Sequence, residues 1–172
     1  YRSLFGIDVL SAMRNKNTSV YCRMPFTATN STEFTNLTLK MKYDDGFVAY
    51  LNGTKVASAN APANPTWNGK STSSHSDSVA QQYISFDLTP HLAHLREGVN
   101  ILAIHGLNVS TGSSDMLIVP ILEASRIAGG TEIALPHHLT HVKARTRTAS
   151  GEWSAIHEAT FQVDVVPGSI EN

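Results

Sequence analysis

The feature that most constrains this chain is a two-residue alternation that recurs along it. Leu37, Leu39, Met41 and Tyr43 alternate with Thr38, Lys40 and Lys42. Val20, Cys22, Met24 and Phe26 alternate with Tyr21, Arg23 and Pro25. A period of two puts every second side chain on one face, so these runs are half-buried strands and not helices. Pro25 cannot donate to a sheet ladder, which places the earlier strand at a sheet edge or ends it there. Asp44-Asp45-Gly46 turns the chain into Phe47–Leu51. Asn52-Gly53, the strongest hairpin signal present, returns it along Thr54–Ser58.

Further strands are read at Tyr83–Leu88, at the nearly continuous apolar run Val99–Leu107, and at Met116–Leu122. Ile7–Met13 reads as a short helix, and Thr89-Pro90 opens a turn or short helix reaching Leu95. From Ala59 to Ala80 the apolar period vanishes among Pro, Asn, Gly, Ser and Thr, which marks a long loop. Asn108–Ser114 is a second polar loop, and Ser125–Gly130 reads as a linker. Beyond it, Val142, Ala144 and Thr146 alternate with Lys143, Arg145 and Arg147, and Ala159–Val165 returns. Short strands separated by Gly/Asn/Pro turns, without βαβ alternation, predict an all-β, antiparallel β-sandwich over residues 1–124. Residues 125–172 are expected to form a small β extension docked on it, ending in a frayed tail, because so few strands are not stable alone.

Composition narrows function mainly by exclusion. With 13 Lys+Arg against 14 Asp+Glu the net charge is −1, so there is no overall basic footprint for nucleic acid. No apolar run approaches the roughly 18 residues of a membrane-spanning helix. Cys22 is the only cysteine, which excludes a disulfide framework and a thiolate metal cluster and suits a small core residue. The first residues have no Met and no signal-peptide pattern, so the chain is expected to be a piece of a longer or processed protein. The abundance of Ser, Thr and Asn suits a protein working outside the cytoplasm.

Several side-chain groups carry two readings each. Asp44 and Asp45 can offer hard oxygen ligands to Ca²⁺, or make turn hydrogen bonds to backbone N–H groups. Asn108, Ser114 and Asp115 can bind sugar hydroxyls, or cap the loop that feeds the strand at Met116. Trp67, between Pro65 and Gly69, can stack on the apolar face of a pyranose or plug the end of the sandwich. Trp153 reads as core packing. His91-x-x-His94 and His138-x-x-His141 have a spacing that a helix could use for a metal. A catalytic zinc site needs three protein ligands, and no His-Glu-x-x-His is present. His105, inside an apolar strand, is either buried or points into a site. No nucleophile elbow and no phosphate-binding glycine loop occurs.

The segments Leu39–Val56, Gly98–His105 and Asn108–Met116, in this order, resemble the galactose-binding-like β-sandwich (jelly-roll) modules of large secreted proteins of planctomycetes and verrucomicrobia. The resemblance covers residues 7–124, and its Asp-Asp-Gly…Asn-Gly hairpin is shared in part with PA14-type carbohydrate-binding sandwiches. The stretch Thr140–Thr146, Gly151–Ala155 and Ala159–Phe161 is similar to the last half of the small chitobiase C-terminal-like sandwich, without its first half. The resemblance implies a non-catalytic accessory module with a structural calcium ion. Its partners would be a polysaccharide or glycan and neighbouring domains of a larger chain, with no nucleic acid and no membrane insertion. It also implies an extracellular or cell-envelope location. In PA14-type domains a paired Asp at this hairpin holds Ca²⁺ that contacts sugar hydroxyls. Two other readings stay open: a small metal-dependent hydrolase using His ligands and the Asp44-Asp45 turn, and a purely structural spacer.

Overall fold

The computed structural model describes residues 1, 4, 6–126, 140–144, 150–152 and 155–161. The chain divides into two units, Tyr1–Ala128 and Gly129–Asn172. The first unit holds a short helix α1 (Leu10–Met13), strands β1 (Ser19–Ala28), β2 (Asn36–Asp44), β3 (Gly46–Leu51) and β4 (Thr54–Ala59), and helix α2 (Asp77–Ala80). Strands β5 (Ile84–Asp87), β6 (Gly98–Leu107) and β7 (Leu117–Ser125) follow, with a 3-10 turn at Thr89–His94 between β5 and β6. One sheet has the order β1-β6-β3-β4 and the other β5-β2-β7, and every pairing within them is antiparallel. The chain is an all-β protein whose first unit is built from these two sheets.

The alternation read from the sequence sets the core. Leu37, Leu39, Met41 and Tyr43 on β2 are all buried, while Lys40 and Lys42 on the opposite face are not. They meet Phe47, Ala49 and Leu51 of β3 and Leu102 and Ile104 of β6 in one apolar cluster. Phe47 lies between Tyr43, at 5.0 Å, and Phe86, at 5.2 Å, both edge-on. β1 is an edge strand, as Pro25 requires, and Pro25 stands opposite Ile101. Cys22 packs against the core as a free thiol, and burial pushes its ionisation upward.

Two glycines are fixed by geometry. At the β3–β4 hairpin Asn52 and Gly53 both have positive φ, 50° and 89°, as the two-residue turn demands. Asn52 also pins the turn, donating to the buried Asn100 at 2.7 Å and accepting from the Ile101 N–H at 2.9 Å. Gly46 is constrained differently. A Cβ there would lie 2.6 Å from the Asn60 carbonyl oxygen and 2.9 Å from that of Ala59, both main chain.

Several expectations are corrected. α1 is shorter than the predicted Ile7–Met13, because Gly6–Val9 makes no helical turn. The long loop is residues 60–76: Ala59 completes β4, and α2 takes the four residues up to Ala80. Ser125 belongs to β7 and not to a linker, since β7 pairs with β2 up to Asn36 opposite Ser125. In the second unit β8 (Thr140–Ala144) pairs with β9 (His157–Phe161) in an antiparallel ladder. Trp153, Arg145, Arg147, Val163 and Val165 lie outside the described residues. Among the described residues no helix is long and apolar enough to cross a membrane.

Replacing Gly46 by Ala forces a side-chain carbon into two rigid carbonyls, and the expected cost is about 2 to 3 kcal/mol. Gly53→Ala, which has open space and only an unfavourable φ, costs less, about 1 kcal/mol. Urea unfolding of both variants checks the order.

Candidate functional site

The loops named from the sequence converge at one end of the first unit, and Asp45 is what ties them. Its carboxylate is buried at the β2–β3 corner. One oxygen accepts the His75 N–H at 3.0 Å and the other accepts the Val109 N–H at 2.8 Å. Its main chain is also fixed: the N–H donates to Leu107 O and the carbonyl accepts from Asn60 Nδ2 at 2.9 Å. Asp45 therefore takes the turn-type role, holding residues 60–76 and the loop after β6 to the corner. His75 completes the arrangement by stacking on Tyr43 at 4.3 Å, with Nδ1 2.8 Å from the Tyr43 carbonyl.

Asp44, joined to Asp45 by a cis peptide bond, faces a different set of groups. Single carboxylate oxygens of Asp44, Asp77 and Asp115 all lie within 4.8 Å of one another. Asp44 is buried, Asp77 is exposed and Asp115 is half-buried. The Tyr1 hydroxyl donates to Asp44 Oδ2. Among the described residues no Lys or Arg pairs with any of the three. Burial, reinforced by the Asp45 and Asp115 carboxylates, pushes the Asp44 carboxyl up to about 7 against the opposing hydrogen bond from Tyr1. Burial and the neighbouring Asp44 raise the Tyr1 hydroxyl above the usual phenol range.

Asn108 stands beside this corner. It follows Leu107, whose carbonyl holds Asp45, and precedes Val109, whose N–H reaches the Asp45 carboxylate. Its main chain joins two loops, donating to Thr18 O and accepting from Ser71 N. Its side-chain Oδ1 is buried and has no hydrogen-bond partner among the described residues. The carboxylates of Asp44, Asp77 and Asp115 are a donor set of oxygen only, the chemistry of a hard cation. Two oxygens on one Ca²⁺ at 2.3–2.6 Å stand at most about 5 Å apart, which the carboxylate trio satisfies.

The remaining predicted residues fall unevenly. Asp115 is in the cluster, whereas Ser114 is exposed and only approaches Asp115 Oδ1 at 3.4 Å. Trp67 is 77% exposed and does not plug the sandwich end. Its carbonyl accepts from the Tyr21 hydroxyl at 2.8 Å, and its neighbour Asn68 binds Thr18 and Ser19. Asp77 was missed by sequence reasoning, because nothing in a Ser-rich loop singles out one carboxylate until α2 carries it to Asp44. Among the described residues, His91 and His94 do not reach the Asp44-Asp45 turn that the hydrolase reading pairs with His ligands. His91 and His94 sit in the 3-10 turn whose Thr89 bonds Leu37, at the far end of β2 from Asp44. Seven residue steps along the strand, roughly 23 Å, separate those ends. His138 lies outside the described residues, and His141 stands on β8.

No family model matches the chain, and no curated protein matches it. Among solved structures it is similar to a β-D-mannosidase from Dictyoglomus thermophilum, with 18% identity and a TM-score of 0.34 over 53% of this chain and 9% of that one. It is also similar to a native α-L-rhamnosidase from Aspergillus terreus, with 13% identity and a TM-score of 0.35 over 81% of this chain and 24% of that one. The chain thus spans less than a quarter of the length of either structure.

Asp45→Ala leaves two loop N–H groups without their acceptor, so a loss of about 2 to 4 kcal/mol is expected whether or not metal is present. Urea titration in chelator and in Ca²⁺ checks that the loss is common to both.

Asp44 gives the opposite kind of signal. Its folded carboxyl keeps its proton up to about pH 7, whereas the unfolded one releases it near 3.8. The native state binds more protons between those values, so stability in chelator falls as pH rises through that window. The facing groups are Tyr1, Asp45, Asp77 and Asp115. Asp44→Asn should flatten the fall, as read from urea midpoints between pH 4 and 8.

Proposed function

We propose that this chain is a non-catalytic carbohydrate-binding module of a secreted or cell-surface protein, with Ca²⁺ held at the loop end of its first unit. The observation that carries the reading is the convergence of Asp44, Asp77 and Asp115 within 4.8 Å, without a cationic partner among the described residues. Like charges this close repel one another, and the proximity is relieved either by protonation of Asp44 or by a bound cation. At neutral pH the cation is the better solution, because it lets all three carboxylates stay ionised. Oxygen-only donors select Ca²⁺ over zinc or copper. Asp77 and Asp115 are not fully buried, so the ion has open positions toward solvent. A sugar with vicinal hydroxyls is the natural ligand for such positions, since Ca²⁺ accepts six to eight oxygens. In this reading Ser114, beside Asp115, contributes from the same end of the unit.

A cation that binds only the folded chain stabilises it by about 2.7 kcal/mol at a concentration of 100 Kd. Thermal melts should therefore rise by several degrees in Ca²⁺ over chelator. The gain should shrink at pH 5, where protons compete for Asp44, and vanish in Asp44→Ala and in Asp77→Ala/Asp115→Ala. Unchanged melts with Ca²⁺, together with no metal in the purified protein, would overturn the cation and with it this route to sugar binding.

A further inference from the structure

A second surface lies away from the carboxylate cluster, on the outward face of the four-stranded sheet. Register places Arg23, Ala103, Tyr50 and Lys55 in one row across β1, β6, β3 and β4. Tyr21, His105, Val48 and Ser58 form the adjacent row. Ala103 is the small member of its row, and the sheet surface dips between Arg23 and Tyr50. The loop of residues 60–76 supplies Pro65 as a wall. The result is a groove of about 280 Å³ lined by Tyr21, Arg23, Tyr50, Pro65, Ala103 and His105, among others.

Three observations give this groove a chemistry. The first is aromatic. Tyr21 is 57% exposed, with one ring face laid on His105 at 4.3 Å and 16°, which leaves the other open. Its hydroxyl is fixed to the main-chain carbonyl of Trp67, which holds the phenol ring in place. The second is an unsatisfied polar atom: His105 is 3% exposed, lines the groove, and its Nε2 has no partner among the described residues. The third is charge. Strands β1, β3, β4 and β6 and residues 60–76 contain no Asp or Glu, yet carry Arg23, Lys55 and Lys70. In a chain of net charge −1 this face has one sign, and Arg23 forms no ion pair among the described residues.

We infer that this groove binds an acidic saccharide, with a uronate ring stacked on Tyr21 and its carboxylate on the Arg23 guanidinium. A pyranose offers an apolar C–H face to an aromatic ring, and a guanidinium takes a carboxylate through two parallel hydrogen bonds. A neutral sugar leaves Arg23 without a use. A nucleic acid is the poorer fit, because its dense phosphate charge calls for more cations than this face carries. The inference rests on the carbohydrate reading for its ligand class but not on the calcium site.

The test is calorimetric titration of the full chain, in chelator, with a tetrameric oligogalacturonate and with its methyl ester. Chelator separates the two ideas: binding here survives it, whereas the loop-end site does not. The acid is expected to bind, and the ester at least tenfold more weakly. Arg23→Gln and Tyr21→Ala should each weaken the acid by about tenfold, with melting curves confirming that both remain folded. Arg23→Gln alters an exposed side chain only, so it keeps the test decisive if Tyr21→Ala unfolds. Absence of binding at millimolar acid, equal binding of acid and ester, wild-type affinity in Arg23→Gln, or equally tight binding of an oligothymidylate would each overturn the proposal.

Discussion

The loop end of the first unit depends on one buried carboxylate. Asp45 has two oxygens and spends each on a main-chain N–H from a different loop. Those loops have little apolar surface with which to hold themselves, so a charged acceptor in a dry corner supplies the fixed point instead. Gly46 follows from the same constraint, because the chain leaving β4 passes against the corner so closely that a Cβ would strike the Asn60 carbonyl. With Asp45 engaged in this way, its neighbour Asp44 is left to face Asp77, Asp115 and Tyr1. Adjacent residues of one type thus have separate duties: one closes the fold and the other builds an electrostatic problem that a ligand can solve.

Charge is divided between the faces of the unit. Carboxylates gather at the β2–β3 corner, while the strands of the four-stranded sheet carry Arg23 and Lys55 and no Asp or Glu. A net charge near zero conceals this segregation. The loop of residues 60–76 serves both regions. Its far end delivers His75 to the Asp45 corner, and its near part carries Pro65 and Trp67 to Tyr21. A polar loop without periodic structure is held here by specific hydrogen bonds, from Thr18 and Ser19 to Asn68 and Gly69 and from Ser71 to Asn108.

How far the sequence reached can be followed through particular residues. The alternation Leu37–Tyr43 announced a half-buried strand, and all four of its apolar side chains entered the core. Pro25 announced an edge, and β1 is one. Asn52-Gly53 announced the hairpin through a conformational demand that few other pairs meet. Asp44 and Asp45 stood out as a pair, but their division of labour did not, because neighbouring side chains share composition and differ only in what surrounds them. Ser114 looked equivalent to Asp115 by position and is merely exposed. Trp67 offered two fates and took the exposed one.

The sequence by itself determined the all-β class, most of the strands of the first unit and the tight turns, since period, glycine and proline act over a few residues through local sterics. The tertiary structure decided which loops meet, that Asp77 joins Asp44 and Asp115, that His91 and His94 do not, and that Arg23, Tyr21 and His105 share a groove with Pro65. Those outcomes depend on strand order and cross-strand register. They are set by how two apolar faces pack between residues far apart in the chain, and no local pattern records that.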